Sequence, residues 1–138
     1  MRSVEDHFSR QNTAQESLRQ LFGFLLVEGQ FDTFEEAHGA GYREAYFRSP
    51  FLVLRVTEQR EAAPGGFPFT CLCFLIDPQN SRRWCMLEKA VNTVLGESIS
   101  GSSSLSELAI KLRQYIEPLM SKIQGGKKVP FDDFSRFA

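Results

Sequence analysis

Hydrophobic positions change period along the chain. Leu18, Leu21, Phe22 and Leu25 recur at spacings of three and four, with Leu26 widening the stripe, as one buried helix face requires. Thr13 and Glu16 fit a capping box ahead of them, and Gly29 sits where a left-handed C-terminal residue belongs. The spacing predicts a helix over 13–28, in which Gly23 marks a close contact with a strand. The period then drops to two, which predicts strands over 31–37, 42–48, 51–57 and 67–76. Turn residues separate them: His38-Gly-Ala-Gly41, Ser49-Pro50, a loop over 58–66 containing Pro64-Gly-Gly66, and Asp77-Pro78-Gln-Asn80.

Helical spacing then returns. Trp84, Leu87, Val91, Val94 and Leu95 predict a helix over 82–95, capped by Ser81 and closed by Gly96. Residues 97–103 read as a flexible Ser/Gly linker. Ser104 and Glu107 form a second capping box, and Leu105, Leu108, Leu112, Tyr115, Ile116 and Leu119 form the stripe of a helix to about 123. Pro118 lies in its interior and is expected to kink it or end it early. Short links between strands favour an antiparallel meander. The expected fold class is α+β: an N-terminal helix, a four-stranded antiparallel meander, and two C-terminal helices packed on one face of the sheet. Residues 1–123 form the single domain and 124–138 a Phe-rich tail.

Strand alternation sorts the side chains. Leu52, Leu54 and Val56 make a core face. The opposite face carries Tyr42, Glu44, Tyr46, Arg48, Phe51 and Arg55, rich in the Tyr and Arg that concentrate at interface centres. Strand four is apolar on both sides: Phe67, Phe69, Cys71, Cys73 and Leu75 on one, Leu72, Phe74 and Ile76 on the other. A strand with one wet face should alternate, so the second face is expected to be covered by the tail, a twin subunit or a partner. In the tail, Phe131, Phe134 and Phe137 recur at spacing three, which suggests a short helix or turn with three rings on one side.

Composition agrees with a folded domain and adds one oddity. The 138 residues are 42% hydrophobic and 24% charged, which excludes wholesale disorder and collagen-like structure. Phe occurs 13 times against 3 Tyr and 1 Trp, so dry ring area is in excess of one small core. Sixteen basic and seventeen acidic residues leave a net charge of -1, and the longest cationic runs are the pairs Arg82-Arg83 and Lys127-Lys128, which argues against nucleic acid as a partner. No apolar run approaches the roughly 18 residues of a membrane span. The polar N-terminus lacks the apolar core of a signal peptide, so a cytoplasmic location is expected.

Candidate chemistry is sparse. Cys71, Cys73 and Cys85 are an odd count without metal-ligand spacing, and read as small buried hydrophobes in a reducing compartment. His7 and His38 have no partner at a recognisable spacing, and no nucleophile elbow, phosphate loop or dinucleotide fingerprint is present. No catalytic residue, cofactor or metal is therefore expected.

Two segments carry a resemblance: Leu21-Phe-Gly-Phe-Leu-Leu-Val-Glu-Gly-Gln-Phe31 and Tyr46-Phe-Arg-Ser-Pro-Phe-Leu-Val-Leu-Arg-Val56. The chain resembles, over roughly residues 15–95, a group of small uncharacterised bacterial proteins of the toxin-immunity type. In that group a helix ending near Phe-Leu-x-x-x-Gly-Phe precedes strands containing Ser-Pro-x-Leu-x-Leu-Arg-Val. The resemblance implies an inhibitor that occludes a toxin and carries no catalytic residues. The loop over 58–66 and the last helix with its tail have no counterpart in the group.

The leading expectation is a non-enzymatic protein-binding module, a homodimer, whose partner contacts are Tyr42, Glu44, Tyr46, Arg48 and Arg55. The alternative is an apolar small-ligand pocket between sheet and helices, near Cys71, Cys73, Trp84 and Tyr115. An enzyme ranks third, because no acid–base pair can be named.

Overall fold

A computed structural model describes residues 17–28, 31–39, 41–59 and 70–134. The Thr13–Glu16 box, Gly29, Phe67, Phe69, most of the 58–66 loop and Phe137 lie outside these residues.

The first helix is two short pieces, α1 (Leu18–Phe22) and α2 (Phe24–Val27), joined at Gly23. Ser17 caps α1: its hydroxyl accepts from the Gln20 amide at 3.0 Å, and the Gln20 side chain accepts from the Ser17 amide at 3.2 Å. Among the described residues, no strand atom lies within 4 Å of where a Gly23 side chain would stand. A Cβ built there would lie 2.5 Å from the Arg19 carbonyl oxygen, so the close neighbour is the preceding helical turn.

Five strands follow: β1 (Thr33–Gly39), β2 (Tyr42–Arg48), β3 (Val53–Gln59), β4 (Thr70–Asp77) and β5 (Asn80–Met86). β2 has the predicted bounds. β1 runs on through His38 and Gly39, which the turn was expected to use, and the hairpin closes at the Gly39–Tyr42 pair with Gly41 at φ 77°. Ser49 holds the next turn. Its hydroxyl accepts from the amides of Phe51 and Leu52 and donates to the Leu52 carbonyl. Phe51 therefore sits in a turn and not on a strand face.

The helix expected over 82–95 is overturned in its first half. Asp77 accepts from the Gln79 amide and Asn80 from the Arg82 amide, so the chain reverses tightly and returns as β5. Trp84 and Met86 then alternate with buried Cys85 at period two, which the helical match of Trp84 with Leu87 and Val91 had masked. Helix begins only at α3 (Leu87–Ala90), which continues as a π turn over Val91–Leu95 and stops at Gly96, φ 74°. The linker after it is tied down. Ser102 bridges to Cys71, and the Lys111 ammonium donates to the carbonyls of Ser100 and Gly101.

α4 (Leu105–Gln124) has the expected stripe, with Ala109 and Met120 added to the buried set. Ser104 accepts from the Glu107 amide, while the Glu107 carboxylate accepts from the amide and hydroxyl of Ser103. Those bonds and Lys111 hold that carboxyl down at about 2. The helix passes Pro118 without ending. Pro118 and Gln114 both face solvent, where water can take the carbonyl that loses its donor.

After Gly126, at φ 102°, the chain returns to pair with β5 as β6 (Asp132–Asp133). The sheet is thus six-stranded and antiparallel, in the order β1-β2-β3-β4-β5-β6, and not the four-stranded meander expected. Strand pairing puts Phe131 and Phe134 on opposite faces of β6, which overturns the three-rings-on-one-side expectation. The helices cover one face, where Phe22, Leu25, Phe47, Leu54, Leu75, Leu87, Leu112 and Leu119 are fully buried.

In an open helix, Gly→Ala stabilises by up to about 1 kcal/mol. At Gly23 the sign should reverse, because the added methyl meets the Arg19 carbonyl. We expect Gly23→Ala to lower the urea midpoint by an amount equivalent to roughly 1 kcal/mol. A raised midpoint would contradict the tight turn.

Candidate functional site

The face of the sheet turned away from the helices is built by strand register. Tyr46 pairs with Arg55, Arg55 with Phe74, and Phe74 with Met86, so these four side chains cross the sheet at one height. One step along the strands, Arg48, Val53, Ile76, Trp84 and Asp132 form a second row. All five expected contact residues, Tyr42, Glu44, Tyr46, Arg48 and Arg55, stand on this face.

Four of them, Glu44, Tyr46, Arg48 and Arg55, are joined by continuous contacts. Arg55 donates through Nε and Nη2 to one Glu44 carboxylate oxygen, at 2.9 and 2.8 Å. Its guanidinium also lies 5.9 Å from the Tyr46 ring centre and 5.3 Å from that of Phe74. Arg48 covers Tyr46 at 5.5 Å and approaches Glu35 at 3.7 Å. Phe74 meets Trp84 edge-on at 5.0 Å, and Trp84 stacks on Phe134 at 4.5 Å. The result is a stripe, Arg48-Tyr46-Arg55-Phe74-Trp84-Phe134, running from β2 to the residue after β6.

Tyr42 stands apart, packed on Gly39. A side chain at Gly39 would collide with the Tyr42 ring, so the glycine gives that ring its seat. Between Tyr42, Arg55, Thr57, Leu72 and Phe74 lies an open concavity of about 390 Å³. Leu72, Phe74, Ile76, Trp84 and Met86 are only partly buried on this side. Sequence reading placed Phe74 on this side of strand four but gave Trp84, which joins it to Phe134, to a helix. The alternation of Trp84 and Met86 about Cys85 was the available signal.

Of the tail rings, Phe134 joins this face. Phe131 packs against the core on the other side, under the Arg83 guanidinium at 5.5 Å. The four residues named for an internal ligand pocket do not converge. Cys71, Cys73 and Tyr115 are packed in the core, while Trp84 is on the opposite side of the sheet. A smaller hollow of about 270 Å³ lies between α2 and α4, and the Arg113 guanidinium stands over Phe24 there at 4.2 Å and bonds Glu28 at 3.0 Å.

The other polar groups offer little chemistry. His38 is exposed on β1, with Nε2 3.3 Å from Glu36. Among the described residues, no group of three or more His, Cys, Asp or Glu could hold a metal, and no helix is long and apolar enough to cross a membrane. All three thiols are free and buried. Burial pushes Cys71 up to about 11 and Cys85 up to about 12, and raises Cys73 further, so none is a nucleophile near neutral pH. Compared with protein families, curated proteins and solved structures, the chain matches none of them.

The thiols predict an alkaline limit to stability. Their folded values lie above the ordinary 9.0, so the folded state keeps protons that the unfolded chain releases. Stability from this source is complete below pH 9 and falls as pH rises toward the folded values. For Cys73 the slope reaches about 1.4 kcal/mol per pH unit. Urea midpoints measured from pH 8 to 10.5 should fall, and fall less steeply in Cys73→Ala. Parallel curves would refute the assignment.

Proposed function

We propose that the chain is a non-enzymatic protein-binding module that docks another protein on the outer face of its sheet. The immunity type of protein, which occludes a toxin, is the specific form we favour. One observation carries this reading: a row of arginines and rings, Arg48-Tyr46-Arg55-Phe74-Trp84, lies on a sheet face where Leu72, Phe74, Ile76, Trp84 and Met86 are only partly buried. Arg, Tyr and Trp are the residues that dominate binding energy at interface centres. At a net charge of -1 the chain lacks the acidic excess that would neutralise a basic nuclease. The arginines of the stripe suit a partner that presents carboxylates and apolar side chains.

The test uses the protein encoded beside this chain's gene as the candidate partner, co-expressed and then titrated against purified chain. Tyr46→Ala combined with Arg55→Glu should weaken binding by about 30-fold or more, the size of a lost hot spot. Gln114→Glu, on the exposed side of α4, should leave it unchanged. Equal affinity for the stripe variant and the wild type would refute the docking surface.

A further inference from the structure

We infer that the outer face of the sheet also fits a second copy of this chain, in a two-fold dimer whose axis runs parallel to the strands and over β4. The dimer uses the proposed docking face but needs no foreign protein, so a foreign partner would compete with it.

The inference rests on one row of the sheet. Register places Arg48, Val53, Ile76, Trp84 and Asp132 at the same height on β2, β3, β4, β5 and β6. Beyond Arg48 the row continues to Thr33 on β1; within it, a cation on β2 and an anion on β6 flank three apolar side chains, of which Val53 is buried and Ile76 and Trp84 are partly buried. Ile76 lies midway between Arg48 and Asp132, two strand spacings, or about 9.6 Å, from either. A two-fold axis over β4 keeps the height of each residue and reverses the order of strands. It lays Arg48 over the partner's Asp132, Val53 over the partner's Trp84, and Ile76 over the partner's Ile76. In the neighbouring row it sets Phe74 beside the partner's Phe74.

The charges thus complement each other twice, once at each end, while the apolar middle meets itself. Arg48 and Asp132 are both about half exposed; at home Arg48 lies across Tyr46 and 3.7 Å from Glu35, and Asp132 accepts from Lys89 through both carboxylate oxygens. Stacked sheets stand about 10 Å apart, a gap that an arginine side chain reaches across. The cover expected for the second apolar side of strand four is then supplied by the twin subunit.

A charge swap tests this with purified chain alone, by light scattering coupled to gel filtration. The wild type should run at twice the 15.7 kDa chain mass. Arg48→Glu sets like charges together at both ends of the interface, and so does Asp132→Arg. Each should raise the dimer dissociation constant at least about tenfold. Mixing the two single variants puts opposite charges back at both ends, and so does combining them in one chain. Both should restore the dimer. Restoration also shows that the variants are folded, and that losing the Lys89 pair is not the cause. A wild type that stays monomeric at hundreds of micromolar would overturn the proposal. So would single variants that remain dimeric, or a mixture that fails to recover. None of these results bears on binding of a foreign partner, which is measured separately.

Discussion

A single line of side chains through the inner face of the sheet decides the rest of the molecule. Phe47, Leu54, Leu75 and Cys85 stand at one height on β2 to β5, each 0–1% exposed, with Phe34 of β1 beside them. Phe31 and Phe34 close one end, at 6.4 and 5.2 Å from the Phe47 ring. The stripe of α4 closes the top. A strand repeats every two residues, so slipping any pair by one position would drive Arg55, Tyr46 or Arg48 into this dry layer. Burying an uncompensated guanidinium costs several kcal/mol, far more than any other register could recover. The inner row therefore locks the register, and a locked register also specifies what faces outward.

The excess of phenylalanine takes on a physical meaning in this light. Phe22, Phe24, Phe31 and Phe47 belong to the inner core, with Phe34 and Phe131 packed at its margins. Phe74 and Phe134 are on the other side of the sheet, joined through Trp84. A two-layer α+β domain has one dry interior, and rings on the solvent side of its sheet are not needed to form it. The dry interior does not account for those rings, and this is the physical basis for proposing that face as a docking surface.

The partition between inner and outer residues was legible in sequence because β2 and β3 alternate cleanly, and side-chain direction follows from parity alone. β5 was not legible, because Trp84, Leu87, Val91 and Val94 satisfy helical spacing as well as Trp84, Cys85 and Met86 satisfy strand spacing. The tie is broken by pairing with β4, a non-local contact that no local window contains. The tail failed for a similar reason. Spacing three in Phe131 and Phe134 suggests a helical turn, but the open edge of β5 imposes period two and sends the rings to opposite sides. Pro118 shows the reverse case, in which a strong local rule yields to a helix held by eight buried side chains.

Side-chain contacts hold the arginines of the outer face in place. Arg55 is fixed by two hydrogen bonds to Glu44 and by the rings on either side, and Arg48 lies across Tyr46. Arginine otherwise loses up to about 2 kcal/mol of rotamer freedom when it is immobilised at an interface. Here most of that ordering is already complete in the free chain, because neighbouring strands hold the guanidinium between two rings. A partner docking on this face, as proposed, would therefore have less entropy to overcome than the same residues would present on a loop. The constraint comes from the inner row: by locking register it aligns Tyr46, Arg55 and Phe74 side by side, and their mutual contacts then set the rotamers. The same residues that make the core dry thus align the arginines and partly exposed rings of the outer face, and that alignment is what the proposed docking would use.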